Sequence, residues 1–189
     1  MAVLSPKTTD ELEKAIVWSL SYNHPLAIRY PKGSVSYELP SADIELGKWD
    51  TIINRADYVD NDIVILTGSA KMCEECYYAC KVLEERGIKA TLVNATFLAP
   101  LDEKFLDTLN GKLIFTVEDN ILNGGFGNSV LAYINKKNIN AKVVNYGIEN
   151  DVLTHATVKQ LQERCGLDRE SLTCRIVKDY NEYKAIRNK

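Results

Sequence analysis

The chain has 189 residues, a hydrophobic fraction of 46% and a formal charge of −3. That length suffices for one good domain or one domain with part of another. The charge excludes the basic surplus of a nucleic-acid binder, and no apolar run approaches the ~20 residues of a membrane helix. The start, "MAVLSPKTTDE", carries no basic segment followed by an apolar one, so no signal peptide is expected. Five cysteines, three of them on one helix, predict free thiols and a cytoplasmic setting rather than a disulfide framework.

Ala2–Leu4 reads as a short strand. Thr8-Thr9-Asp10-Glu11 has capping-box spacing and opens a helix with Leu12, Ile16, Val17 and Leu20 on one face. "PLAIRYP" is the next strand, and "KGSVSYELPSADIELGK" a linker rich in Ser, Pro and Gly. The pattern restarts at Lys48. "WDTIIN" alternates, "IVILTG" is a fully buried strand, and a helix spans 70–87 with Gly87 at its end. Then come a strand "ATLVNA", a short helix "LDEKFLDTL", a strand "KLIFTVED", a helix opening on "GGFGNSV", a strand "AKVVNYG" and two closing helices. Alternating strands and helices predict an α/β fold with a mostly parallel sheet. The expected boundaries are 1–45, the tail of one α/β domain plus linker, and 46–189, a three-layer carboxyl-terminal domain. Two strands alone are marginal in water, so strands for the first unit are expected from elsewhere.

Four features carry chemistry or imitate it. Arg29 and Lys32 stand at the carboxyl end of a strand, where open sheets collect ligands; they are either a solvated corner or a grip on an anion. Gly124-Gly125-Phe126-Gly127 leads into a helix but lacks the spacing of a phosphate loop, and the adjacent Glu118 and Asp119 would repel an anion. It is read as a tight turn packed against a neighbouring domain or subunit. Cys73, Cys76 and Cys80 follow helical spacing and read as core. His24 and His155 have no partner in sequence and read as structural, with His155 a possible cap for a helix at Ala156. No catalytic, cofactor-binding or metal-binding residue is assigned.

"SPKTTDELEKAI", "AIRYPKGS", "LGKWD", "VNATFLAPLDEKFLD", "FTVEDNILNGGFGNSVL" and "CGLDRESL" occur here in one order. In that order they resemble the carboxyl-terminal third of the 1-deoxy-D-xylulose-5-phosphate synthases, a transketolase-like family. The resemblance covers nearly the whole chain and is most specific over 116–130. It implies a transketolase carboxyl-terminal domain preceded by the last helix and strand of a pyrimidine-binding domain. It implies a homodimer, associating through 113–135. It also implies the carboligation of pyruvate with D-glyceraldehyde 3-phosphate, with thiamine diphosphate and Mg2+ held elsewhere in the full enzyme and none expected on this chain. Lys32 matches the basic residue that contacts the sugar phosphate, and Arg29 matches a supporting one. "GIENDVLTHAT" departs from the family's G-[LI]-P-D pattern at Glu149 and Asn150. On this reading the chain is inactive alone. The alternatives are one subunit of a split enzyme and a non-catalytic dimerisation or regulatory module.

Overall fold

The computed structural model describes residues 1–31, 39–55, 63–149 and 153–187. Lys32, Gly33, Ser34 and Asn150, singled out above, lie outside them.

The strands are β1 (Ala2–Leu4), β2 (Leu26–Ile28), β3 (Asp50–Ile53), β4 (Ile63–Thr67), β5 (Ala90–Asn94), β6 (Phe97–Ala99), β7 (Leu113–Ile121) and β8 (Lys142–Ile148). The helices are α1 (Thr9–Ser19), α2 (Ala70–Glu85), α3 (Glu103–Leu106), α4 (Phe126–Lys136), α5 (Val158–Cys165) and α6 (Arg169–Arg187). They build two sheets. The larger has five strands in the order β3-β5-β4-β7-β8, with only β3 antiparallel to its neighbour.

The period of two explains its layers. Along β4, Ile63 and Ile65 enter one core while Val64 and Leu66 enter the other. The first core is closed by α2 through Met72, Cys76, Cys80 and Leu83, and by α6 through Leu172, Ile176 and Tyr180. The second is closed by α4 through Phe126, Val130, Tyr133 and Ile134, with Leu106 and Leu109 beside them. The three layers and mostly parallel sheet agree with the sequence expectation.

The cysteine stripe is core as expected. Cys73, Cys76 and Cys80 are buried, whereas Cys165 is partly exposed and Cys174 exposed. Burial disfavours a thiolate, pushing Cys73 and Cys80 up to about 12 and Cys76 well above its ordinary value. Iodoacetamide at neutral pH is therefore expected to modify Cys174 and Cys165 and spare the other three until the protein is denatured. Site-resolved mass spectrometry checks this.

The smaller sheet, β2-β1-β6, is completed from within the chain on one side. β6 pairs antiparallel with β1, a strand the sequence reading did not pick out, while β2 stays at the edge. The helix above it also differs from expectation. Ile16, Val17 and Leu20 are 51%, 69% and 83% exposed, so the apolar stripe faces outward. The inward face carries Glu11 and Ala15, both 0% exposed, with Trp18 and the following Tyr22 packed on the same core. The helical period was legible, but the stripe is rotated. Small Ala15 lets α1 approach Leu4 and Phe97, and Glu11 enters because a buried lysine meets it. Thr8 caps α1 by accepting from the Glu11 amide, while the Glu11 carboxylate accepts from the Lys7 amide. This is one half of the anticipated capping box, displaced by a residue at its other end.

Candidate functional site

Strand order places a crevice. The chain leaves β4 through α2 to β5 on one side, and β7 lies on the other. Connections diverging from adjacent parallel strands open a gap beyond their carboxyl ends, the usual seat of ligands in such sheets. Here that gap lies past Thr67 and Val117, which pair in register.

The small sheet delivers a cation to it. The Arg29 amide donates to the Leu4 carbonyl at 2.8 Å, prolonging the β1–β2 pairing, and Pro31 follows two residues on. Arg29, Tyr30 and Pro31 then line a crevice of about 70 Å³ with Ser69, Lys71 and Asp119. Ser69 caps α2 by accepting from the Met72 amide. Arg29 Nη2 stands 3.5 Å from Asp119 Oδ1, with both side chains more than a third exposed. A pair so long and so wet contributes about 0–1 kcal/mol, so Arg29 is held loosely. Lys71 is held more firmly, 3.2 Å from both Glu74 and Glu75. Burial works against its charge, but the two carboxylates outweigh burial and raise its affinity for the proton. Lys71 was not singled out from sequence, and Asp119 was read only as an acid beside the glycine-rich turn. They reach Arg29 only because β4 and β7 are neighbours, which residue spacing does not reveal.

The glycine-rich turn serves a different purpose from a ligand loop. Glu118, 1% exposed on β7, accepts from the amides of Phe126 and Gly127, each at 2.9 Å. The anion at the start of α4 is thus supplied by the protein itself, and Glu118 occupies the place an external anion would take. The glycines make room for it. A Cβ on Gly125 would lie 2.5 Å and 2.6 Å from the two Glu118 oxygens, and one on Gly127 would meet Thr116 Oγ1 at 2.4 Å. Burial raises the pKa of Glu118 above the usual carboxylate value, with the two amides and Arg29 pulling it back.

His24 and His155 are both exposed. The start of α5 belongs to Thr157, whose hydroxyl accepts from the Gln160 amide while the Gln160 side chain accepts from the Thr157 amide. This replaces the cap expected from His155. Among the described residues no group of three or more His, Cys, Asp or Glu side chains is arranged to hold a metal. Among the same residues no helix is long and apolar enough to cross a membrane.

Residues 55–172 match the family model for the transketolase C-terminal domain. The chain is 37% identical over 181 residues to 1-deoxy-D-xylulose-5-phosphate synthase of Clostridium tetani, and 34% identical to that of Clostridium kluyveri. Each match covers 94% of this chain but only 28% of the relative. Among solved structures, a split gene transketolase described as an inactive beta4 tetramer superposes with a TM-score of 0.83 at 24% identity, over 94% of this chain and 57% of that one. A transketolase from Campylobacter jejuni gives 0.67 at 18% identity, over 94% and 26%. At such identities these two show the fold alone. The family model spans most of the chain and the curated relatives agree with it, so the chain belongs to the transketolase family through its carboxyl-terminal domain.

Proposed function

We propose that this chain is the carboxyl-terminal portion of a 1-deoxy-D-xylulose-5-phosphate synthase, whose substrates are pyruvate and D-glyceraldehyde 3-phosphate and whose products are 1-deoxy-D-xylulose 5-phosphate and CO2. Lys32 holds the phosphate of the acceptor sugar and Arg29 supports it. The remainder of the enzyme, in the same polypeptide or as a separate chain, carries thiamine diphosphate and Mg2+, and the assembly is a cytoplasmic homodimer. The cofactor supplies the electron sink for decarboxylation. The residues of this chain bind and orient the acceptor, and binding energy from its remote phosphate positions the reacting aldehyde. The chain alone is inactive.

The exit of β2 carries this reading. It brings Arg29 to the switch-point crevice at the rim of a small sheet in which, among the described residues, β2 has no partner on its outer side. Above that sheet, Ile16, Val17 and Leu20 lie uncovered. Such an edge and such a stripe call for further protein. The chain spans only 28% of its curated relatives, which leaves ample sequence to supply it.

The test joins this chain to the cofactor-binding domains and follows product formation. Activity is expected only in the combination. Lys32→Ala is expected to raise KM for glyceraldehyde 3-phosphate about tenfold or more, the worth of one charged hydrogen-bonding group, and to leave KM for pyruvate unchanged. An unaltered KM for both substrates would assign the chain to a non-catalytic module. Co-purification with a larger thiamine-binding polypeptide would identify a split enzyme.

A further inference from the structure

A second concavity lies at the carboxyl end of β8, sharing no lining residue with the Arg29 crevice. It measures about 470 Å³, within the range of small-molecule sites, and includes Asn145, Thr154, Arg164, Cys165 and Arg175. We propose that it binds a small molecule through a phosphate group held by Arg164 and Arg175. The assignment does not depend on the role given to Lys32.

The charges are the first argument. Arg29, Arg55 and Arg169 each have a carboxylate partner. Among the described residues Arg164 and Arg175 have none, yet both line the same cavity. Among the described residues Glu149 is the single acid on its wall, and it is exposed, so there two guanidiniums face one carboxylate. A guanidinium presents a planar fork of donors that fits phosphate oxygens, and two forks suit a dianion better than a monoanion.

Preorganisation is the second argument. Arg175 lies 4.1 Å above the ring of Tyr146, which is 2% exposed and anchored by its hydroxyl to Asp179 at 2.6 Å. Its Nη1 donates to the carbonyls of Cys165 and Gly166 at 3.3 Å and 3.1 Å. Those carbonyls are presented because Gly166, at φ 64°, ends α5 in the left-handed conformation. One side of the guanidinium is thus fixed by stacking and by backbone, and its remaining donors are oriented before any ligand arrives. Among the described residues Arg164 donates to Thr154 Oγ1, at 2.8 Å, an exposed hydroxyl that an anion can displace or share.

Cys165 gives a local probe. It lines the cavity and is partly exposed, whereas Cys174 lies outside it and is exposed. The full chain is alkylated with iodoacetamide at constant ionic strength while inorganic phosphate replaces chloride, and each cysteine is followed by mass spectrometry. Phosphate is expected to slow Cys165 at least fivefold in a saturable way and to leave Cys174 unchanged. Arg164→Gln is expected to raise the half-protecting phosphate concentration about tenfold, while Lys32→Ala leaves it unaltered. Arg175→Lys, which keeps the charge but not the fork, is expected to fall between. No protection of Cys165, or equal protection in Arg164→Gln, overturns the site. Equal protection by succinate overturns the phosphate assignment.

Discussion

Lys7→Ala is expected to destabilise the protein by about 3–5 kcal/mol, the usual consequence of leaving a buried charge without its partner. The Lys7 ammonium is paired with Glu11 and lies 2.7 Å from Asp50, and the side chains of Lys7 and Glu11 are wholly buried. Glu11 also accepts from the amides of Lys7 and Ala42, at 2.8 Å and 2.9 Å. Removing the ammonium leaves that carboxylate sealed with two neutral donors and no cation. The cluster also joins the two sheets: Glu11 stands on α1 over the small one, and Asp50 begins the edge strand of the large one. The loss is therefore expected in the cooperative unfolding of the whole chain, read in urea by the fluorescence of Trp18 and Trp49. Lys7→Met with Glu11→Gln removes both charges while keeping an acceptor for the amides, and is expected to recover most of the loss. Burial alone would lower the pKa of Lys7, but Glu11 and Asp50 outweigh it and raise it above 10.5. The sign follows: the folded state holds the proton more tightly, so this contribution is complete below pH 10.5 and is lost as pH rises through the folded value. A loss under 1 kcal/mol in Lys7→Ala would show that water reaches the cluster and that the two sheets are joined by packing alone.

That cluster marks where the sequence stopped being readable. Strands with a continuous apolar run, such as Ile63–Thr67 and the first half of Leu113–Ile121, announce themselves because burial on both faces demands one. The cysteine stripe was legible from its helical spacing instead. A lysine and a glutamate four residues apart look like any solvated pair until the fold buries them, and Asp50 is remote in sequence. β6 is only three residues long, and its partner β1 lies more than ninety positions away, so no local pattern marks it. The outward turn of Ile16, Val17 and Leu20 was misread because apolar spacing fixes a helix's period without fixing its neighbour. Of the site, the basic corner at Arg29 and Lys32 was readable from charge, proline and glycine at a strand exit. The crevice that Arg29 enters required the strand order, since Ser69, just past β4, and Asp119, on β7, line it from positions some fifty residues apart.

The same non-local logic makes Glu118→Ala the second large effect, about 2–5 kcal/mol. The substitution leaves the Phe126 and Gly127 amides buried without an acceptor, at about 1–3 kcal/mol each, and removes a negative charge from the positive end of α4. Glu118→Gln does not rescue it fully, because the amide nitrogen of glutamine would face one of the two N–H donors. Gly125→Ala attacks the same contact from the other side and is expected to cost about 1–3 kcal/mol, its methyl falling within 2.6 Å of both carboxylate oxygens. The two changes share one cause and so are not additive. In Glu118→Ala the methyl at position 125 loses its clash with the carboxylate while that with the Ile121 carbonyl, at 2.6 Å, remains, and a double-mutant cycle is expected to show coupling of at least about 1 kcal/mol. The pH dependence separates this contact from ordinary packing. Burial raises the folded-state pKa of Glu118 above its ordinary 4.5, so the folded state takes up this proton more readily than the unfolded chain. Its contribution is greatest below pH 4.5 and declines as pH rises through the folded value. Wild type minus Glu118→Gln, measured by chemical denaturation across pH 4 to 7, isolates that slope. A flat difference would mean that the two amides offset burial and hold the carboxylate at its ordinary affinity for the proton.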